Sequence, residues 1–231
     1  MKRFYRTVAV EPVGDSFGVT LDGKSVRTPA RKPLAVRQAA LAEAIAAEWD
    51  AQGERIRPDT MPLTRLANTA IDRVAEMAAS VAAETAKYGE TDLLCYRADG
   101  PPELAARQAA VWQPLLDWAS LRFDAPLLVT AGVLPVEQPP DSRRALANAV
   151  AALDPLVLAA VADLTRSCGS LVLALALAEG RIDAETAIEA AFLDETHQTE
   201  RWGEDAEALD RRRRLEAEIR AAARFLALAV Q

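Results

Sequence analysis

The sequence predicts an α+β protein, with a small β-rich N-terminal domain followed by a larger α-helical domain. Three observations predict it. Residues 3 to about 36 alternate apolar and polar side chains with the two-residue period of strands. Within that stretch Asp22-Gly23 separates two alternating runs, which is the favoured two-residue hairpin signal. After Pro58 the apolar spacing becomes helical and remains so to the last residues. The expected domains are therefore residues 1–58, strands plus one closing helix, and residues 59–231, all helical.

Each element follows from its local pattern. "RFYRTVAV" sets Phe4, Arg6, Val8 and Val10 against Tyr5, Thr7 and Ala9, and "FGVTL" puts Phe17, Val19 and Leu21 on one face. "KSVRT" is the return strand, punctuated by Pro29 and Pro33. "AVRQAALAEAIAAEWDAQ" reads as the closing helix, with Ala40, Ile45 and Trp49 on its buried side. Thr64 is a candidate N-cap for a helix that places Leu66, Ala70, Ile71 and Val74 at helical spacing. Helices are expected over about 64–78, 79–89, 102–120, 141–152, 154–167, 169–179, 183–208 and 210–229. The paired prolines of "DGPPE" and "EQPPD" open the helices that follow them. "TDLLCYR" and "PLLVTAG" are short apolar runs that fit buried coil, a last helical turn or a strand.

Composition removes several function classes. Of the 231 residues, 51% are hydrophobic, enough for a packed core. The 27 Lys and Arg against 34 Asp and Glu leave a net charge of −7, the wrong sign for nucleic acid. Cys95 and Cys168 form no C-x-x-C pair and read as buried thiols of a reducing compartment. No run of about twenty uncharged apolar residues offers a membrane span, and the first residues carry no signal-peptide pattern. A cytoplasmic protein without membrane insertion is expected.

Candidate chemistry is sparse. Gly18 to Ser25, "GVTLDGKS", fits the phosphate-loop pattern G-x-x-x-x-G-K-S/T, which would make the chain a nucleotide-binding protein. A phosphate loop needs a strand before it and a helix after it, so that amides and helix N-terminus converge on the anion. Here Lys24 and Ser25 leave a hairpin turn toward Pro29, and the match reads as a hairpin. His197 is the single histidine, which removes two-histidine zinc sites. Asp194, His197, Glu200 and Glu204 would share a helical face, which reads as a solvated acidic surface before a metal site. No G-x-S-x-G turn accompanies His197, so no hydrolase triad is indicated. In "DRRRR" the arginines meet acids at i,i+4, as in Glu207–Arg211 and Arg212–Glu216, and read as a self-neutralised helix surface.

One stretch stands apart. "AFLDETHQTERWGEDAEALD", Ala191 to Asp210, holds seven acids with a tryptophan and a glycine. Phe192, Glu195, Thr199 and Trp202 recur at three- and four-residue steps beside a row of Glu200, Glu204 and Glu207. The residues leave two readings open. One is a polar face neutralised by the arginines that follow, the other an acidic docking surface anchored by an aromatic ring.

With these blocks in view, the chain resembles the assembly chaperones specific for the alpha subunit of the catalytic head of F-type ATP synthase. The resemblance is carried in order, over nearly the whole length, by "KRFYRTVAV", "LDGKSVRTP", "LAEAIAAEWDAQ", "MPLTRLANTAIDRV", "TDLLCYRADGPPEL" and "LDETHQTERWGEDAEA". It implies the two-part fold described above. It also implies a protein that is not an enzyme and uses no cofactor or nucleotide. Such a protein binds unassembled alpha subunits and keeps them soluble until beta subunits bury the same surfaces. The "DETHQTERWG" block then makes Glu195, Glu200, Trp202 and Gly203, with the adjoining Glu204 and Asp205, the partner-binding residues. Trp49 of the "EWD" block takes a structural role, packing between domains. Eukaryotic members carry a mitochondrial presequence, and the start of this sequence implies a bacterial homologue of that mitochondrial-matrix family.

Overall fold

The structure, a computed structural model, describes residues 1–132 and 134–230. Strands β1 (Val8–Val13) and β2 (Ser16–Leu21) form an antiparallel hairpin, from Val8 opposite Leu21 to Val13 opposite Ser16. β2 then turns through Asp22 and Gly23 into β3 (Lys24–Ser25). Both turn residues have positive φ, +49° and +74°, the turn whose twist matches a hairpin. Asp22 tolerates it because its carboxylate accepts the amides of Arg6 and Thr7 at 3.0 and 2.8 Å and the Thr7 hydroxyl at 2.9 Å. Those backbone hydrogen bonds, Thr7 first, hold its carboxyl below the ordinary carboxylate range. β4 (Ala35–Val36) joins β2 on the edge that β3 uses, because Val19 donates to Leu34 and accepts from Val26.

Helix α1 (Ala39–Asp50) packs on β2 and buries Leu41, Ala42, Ala44, Ile45 and Ala46. Of the expected face Ala40, Ile45 and Trp49, only Ile45 is fully buried; the other two are half-buried. Ala35 and Val36, expected in this helix, are instead the strand β4. α2 (Pro62–Thr69) passes through one π turn, Ala70–Val74, into α3 (Ala75–Ala86). Thr64 is not the N-cap, since the helix begins at Pro62 and no cap side chain serves it. Glu48 of α1 does that work from outside, accepting the amides of Leu63 and Thr64 and the Thr64 hydroxyl, each at 2.8 Å. A carboxylate at a helix N-terminus satisfies orphan amides and the helix dipole together.

The remaining elements are β5 (Tyr96–Arg97), α4 (Pro102–Phe123), β6 (Thr130–Ala131), α5 (Pro140–Ala151) and α6 (Pro155–Cys168). They are followed by α7 (Leu171–Ala178), α8 (Ala184–Ala191), α9 (Leu193–Trp202) and α10 (Ala206–Ala229). Pro102 and Pro140 occupy the first turns of α4 and α5, as their missing amides favour. Each short apolar run holds a two-residue strand near its end, β5 and β6, which form a parallel pair. Leu93–Cys95 ahead of β5 is a 3-10 turn, and 126–129 ahead of β6 is coil. The chain divides into two compact units: residues 1–78 with 154–160 and the last stretch from Arg224, and residues 79–153 with 161–223. The second unit is built around α7, whose Leu171 to Leu177 are all buried and which packs on α4 and α8. Buried Asp92 accepts the Val172 amide at 3.0 Å and the Leu94 amide at 3.1 Å, and Ser170 caps the same helix through the Leu173 amide.

Candidate partner-binding site

The acid-rich stretch expected to be one helix over 183–208 is two helices and the start of a third. Phe192 breaks the first, leaving helical dihedrals at φ −107°, ψ 20° and burying its ring under the Arg212 guanidinium at 5.3 Å. Gly203 ends α9 at φ +87°, a conformation glycine adopts without a Cβ penalty. Asp205 then opens α10, accepting the Ala208 amide at 2.8 Å. The result is a helical hairpin whose turn is Trp202, Gly203, Glu204 and Asp205, every one exposed. Trp202 stands out at 74% exposure.

Further back along α9 the acids are spoken for. Glu195 is half-buried and accepts from Arg211 of α10 at 2.8 Å. Glu200 accepts from Arg107 of α4 at 2.9 Å, and Arg201 returns a pair to Glu103 of α4 at 3.2 Å. Asp194 accepts from Gln108 at 2.7 Å, and Gln108 in turn accepts the Ala98 amide at 2.7 Å. Trp112 donates its indole N–H to the Ala190 carbonyl at 2.9 Å, at the end of α8. Arg212 donates to the Thr196 hydroxyl at 2.9 Å and to Glu216 at 2.8 Å. Of the i,i+4 pairs expected on α10, Arg212–Glu216 forms, whereas Arg211 turns to Glu195 instead of Glu207.

The structure thus brings Trp202, Gly203, Glu204 and Asp205 together at one turn. It sets Glu195 seven residues back on the same helix, about 10 Å along the axis at 1.5 Å per residue. Trp49 lies in the other unit, half-buried, its ring edge-on to Tyr5 at 5.9 Å and its carbonyl accepting the Tyr5 hydroxyl at 2.6 Å. Gln108, buried to 1% exposure, and Arg107 were not singled out from sequence, because nothing in the α4 pattern marks which residues face α9.

Other candidates take plain structural places. Gly23, Lys24 and Ser25 lie on the β2–β3 hairpin, and a strand, not a helix, leaves the turn. Cys95 and Cys168 are free and buried, and burial pushes both thiols up to about 12. Among the described residues, no cluster of three His, Cys, Asp or Glu could hold a metal ion, and no helix is long and apolar enough to cross a membrane.

Comparison with known proteins agrees along the chain. The family model described as ATP12 chaperone protein matches residues 2–120. The fission yeast (Schizosaccharomyces pombe) protein named Protein atp12, mitochondrial, is 26% identical over 223 residues, spanning 90% of this chain and 77% of its own. Among solved structures, Atp12 from Paracoccus denitrificans superposes with a TM-score of 0.94 at 46% identity, covering 99% of this chain and 98% of that one. An aspartate-to-lysine mutant of P. denitrificans Atp12p matches with the same TM-score and identity over 97% of its length. The α9–α10 turn lies beyond the residues matched by the family model and within the span of the solved structures.

Proposed function

The chain belongs to the ATP12 chaperone family, and from that premise we propose that its client is the unassembled alpha subunit of F-type ATP synthase. It holds the subunit soluble until beta subunits compete for the same surface. An unassembled subunit exposes apolar interface area that invites aggregation, and covering it requires complementarity without catalysis. The observation that carries the site is the α9–α10 turn. An indole at 74% exposure stands at the end of α9, and Gly203, Glu204 and Asp205 follow it in the turn. Exposed tryptophan is costly to leave in water and is enriched among residues that dominate interfaces. Uncompensated acids around it select a basic partner surface and speed its approach.

We place Glu195, Glu200, Trp202, Gly203, Glu204 and Asp205 in this surface, with Trp202 as anchor and Gly203 setting the turn. Trp49 has a packing role. The activity is binding without turnover, in the cytoplasm of a bacterial cell. The test is recovery from cells on the tagged chain. Alpha subunit should come down in a stoichiometric complex free of beta subunit, and be lost from the Trp202→Ala chain. Recovery of no ATP synthase subunit, or of assembled alpha–beta complexes, would overturn the proposal.

A further inference from the structure

The outer edge of β1 carries no paired strand among the described residues. The backbone settles which groups it presents. The Asp22 amide donates to the Thr7 carbonyl at 3.0 Å, so Thr7, and with it Ala9, Glu11 and Val13, point their amides and carbonyls toward β2. The same parity follows on the other side, where Val19, opposite Val10, donates to Leu34 and accepts from Val26 away from β1. The amides of Val8 and Val10 and the carbonyls of Val8, Val10 and Pro12 therefore face outward. Among the described residues no backbone partner reaches them. Pro12 has its missing N–H on this edge, the one place in a sheet where proline costs nothing.

The side chains define what would pair there. Val8 and Val10 share a face with Leu21 and Val19, which are 6% and 1% exposed, yet Val8 and Val10 themselves remain only half-buried. The apolar layer runs to the edge and stops one strand short. On the opposite face Ala9 and Glu11 are exposed, and Glu11 forms no ion pair among the described residues. The protection on this edge, the charge of Glu11 and the ring of Pro12, sits at its C-terminal half and leaves the Val8–Val10 stretch open.

We propose that β1 is a docking edge for an extended segment of a protein partner, added antiparallel by strand augmentation. Residues opposite Val8, Val10 and Pro12 would be apolar, and the residue opposite Glu11 would be basic. Read from its N-terminus, which lies opposite Pro12, the segment has the pattern apolar, basic, apolar, any, apolar. A second copy of this chain fits less well. β1 paired with itself about Ala9 sets Thr7, with no positive charge, opposite Glu11, and Arg6 opposite the amide-less Pro12.

The test uses the whole chain and the synthetic peptide Thr-Val-Arg-Val-Thr-Val-Thr, so it stands apart from any ATP synthase subunit and from the acidic turn. Peptide binding should slow amide exchange at Val8 and Val10 and leave Ala9 and Glu11, already bonded to β2, unchanged. Val10→Pro removes one outward donor without breaking the ladder to β2. It should weaken binding up to about tenfold while circular dichroism and melting stay as in the parent chain. Glu11→Lys should reverse the preference, binding a peptide with Glu in place of Arg better than the original. Unchanged exchange at Val8 and Val10, equal binding by the Val10→Pro chain, or no reversal by Glu11→Lys would overturn the proposal. So would a β1-dependent dimer in sedimentation.

Discussion

Glu195→Lys separates a docking residue from a merely structural one. Glu195 accepts from Arg211 at 2.8 Å, with the two side chains 38% and 65% exposed. An exposed pair of this kind contributes about 0–1 kcal/mol. Reversal exchanges that attraction for repulsion from Arg211, so folding should lose roughly 1 kcal/mol, which for a chain of this length lowers Tm by about 2–4 °C. At a desolvated contact with a basic partner surface the same reversal costs about 2–5 kcal/mol, a loss of roughly thirtyfold to several thousandfold in affinity. Thermal melts followed by circular dichroism measure the first effect, and titration against immobilised alpha subunit measures the second. Arg211→Ala is the control. It breaks the same internal pair but leaves the Glu195 carboxylate free, so it should bind at least as well as the parent chain. A folded Glu195→Lys chain that still binds normally would refute the reasoning, as would an Arg211→Ala chain that loses binding to the same extent.

Gln108→Leu deletes bonds to Asp194 and to the Ala98 amide at a site only 1% exposed. It strands two half-buried partners, so urea unfolding should show a loss of about 1–3 kcal/mol. Trp49→Ala removes a half-buried ring but keeps the carbonyl that accepts the Tyr5 hydroxyl. Its cost should fall near 1–3 kcal/mol, below the roughly 3–5 kcal/mol of a fully buried aromatic, and an unchanged Tm would show that the ring packs on nothing. Asp22 has its carboxyl held below the ordinary value of 3.8, so its contribution is present above that value and lost as pH falls through the depressed one. The Asp22→Asn chain should therefore lose less stability than the parent between about pH 6 and about pH 2, and parallel acid limbs would count against the assignment.

The division into a strand-rich start and a helical remainder was legible because both rest on period. Asp22-Gly23 was legible for a different reason: its chemistry demands the turn it makes, and the positive φ of both residues follows. The ends and breaks of helices were harder. Thr64 is a good capping residue by type, yet the cap comes from Glu48, across a contact between α1 and α2 that no local window contains. The break at Phe192 was hidden because an apolar residue at helical spacing gives no stop signal; burial of its ring beneath Arg212 marks the bend. Gly203 did carry such a signal, but the acids on both sides continued the helical spacing across it.

For the candidate site, composition was readable and pairing was not. Seven acids in twenty residues predict a negative surface, but they do not act alike. Arg107 and Glu200 meet across 93 residues of chain, and Gln108 and Asp194 across 86, so these acids fasten α9 to α4. Reversing Glu200, 56% exposed in its pair with Arg107, would loosen that attachment and alter the docking surface together. At the other end, Glu204 and Asp205 flank the exposed indole without an ion pair among the described residues, so their charge is free to face a partner. Glu195 lies between these extremes, paired yet 38% exposed, and its partner Arg211 hangs from a different helix. An arginine on a docking protein could replace Arg211 at little cost, since the internal pair is worth no more than about 1 kcal/mol. The acids of the block therefore differ by partner and not by position. Asp194 is tied to buried Gln108, Glu195 and Glu200 are paired yet 38% and 56% exposed, and Glu204 and Asp205 carry no ion pair among the described residues. A docking arginine could thus reach Glu195 or Glu200 by displacing a weak internal pair.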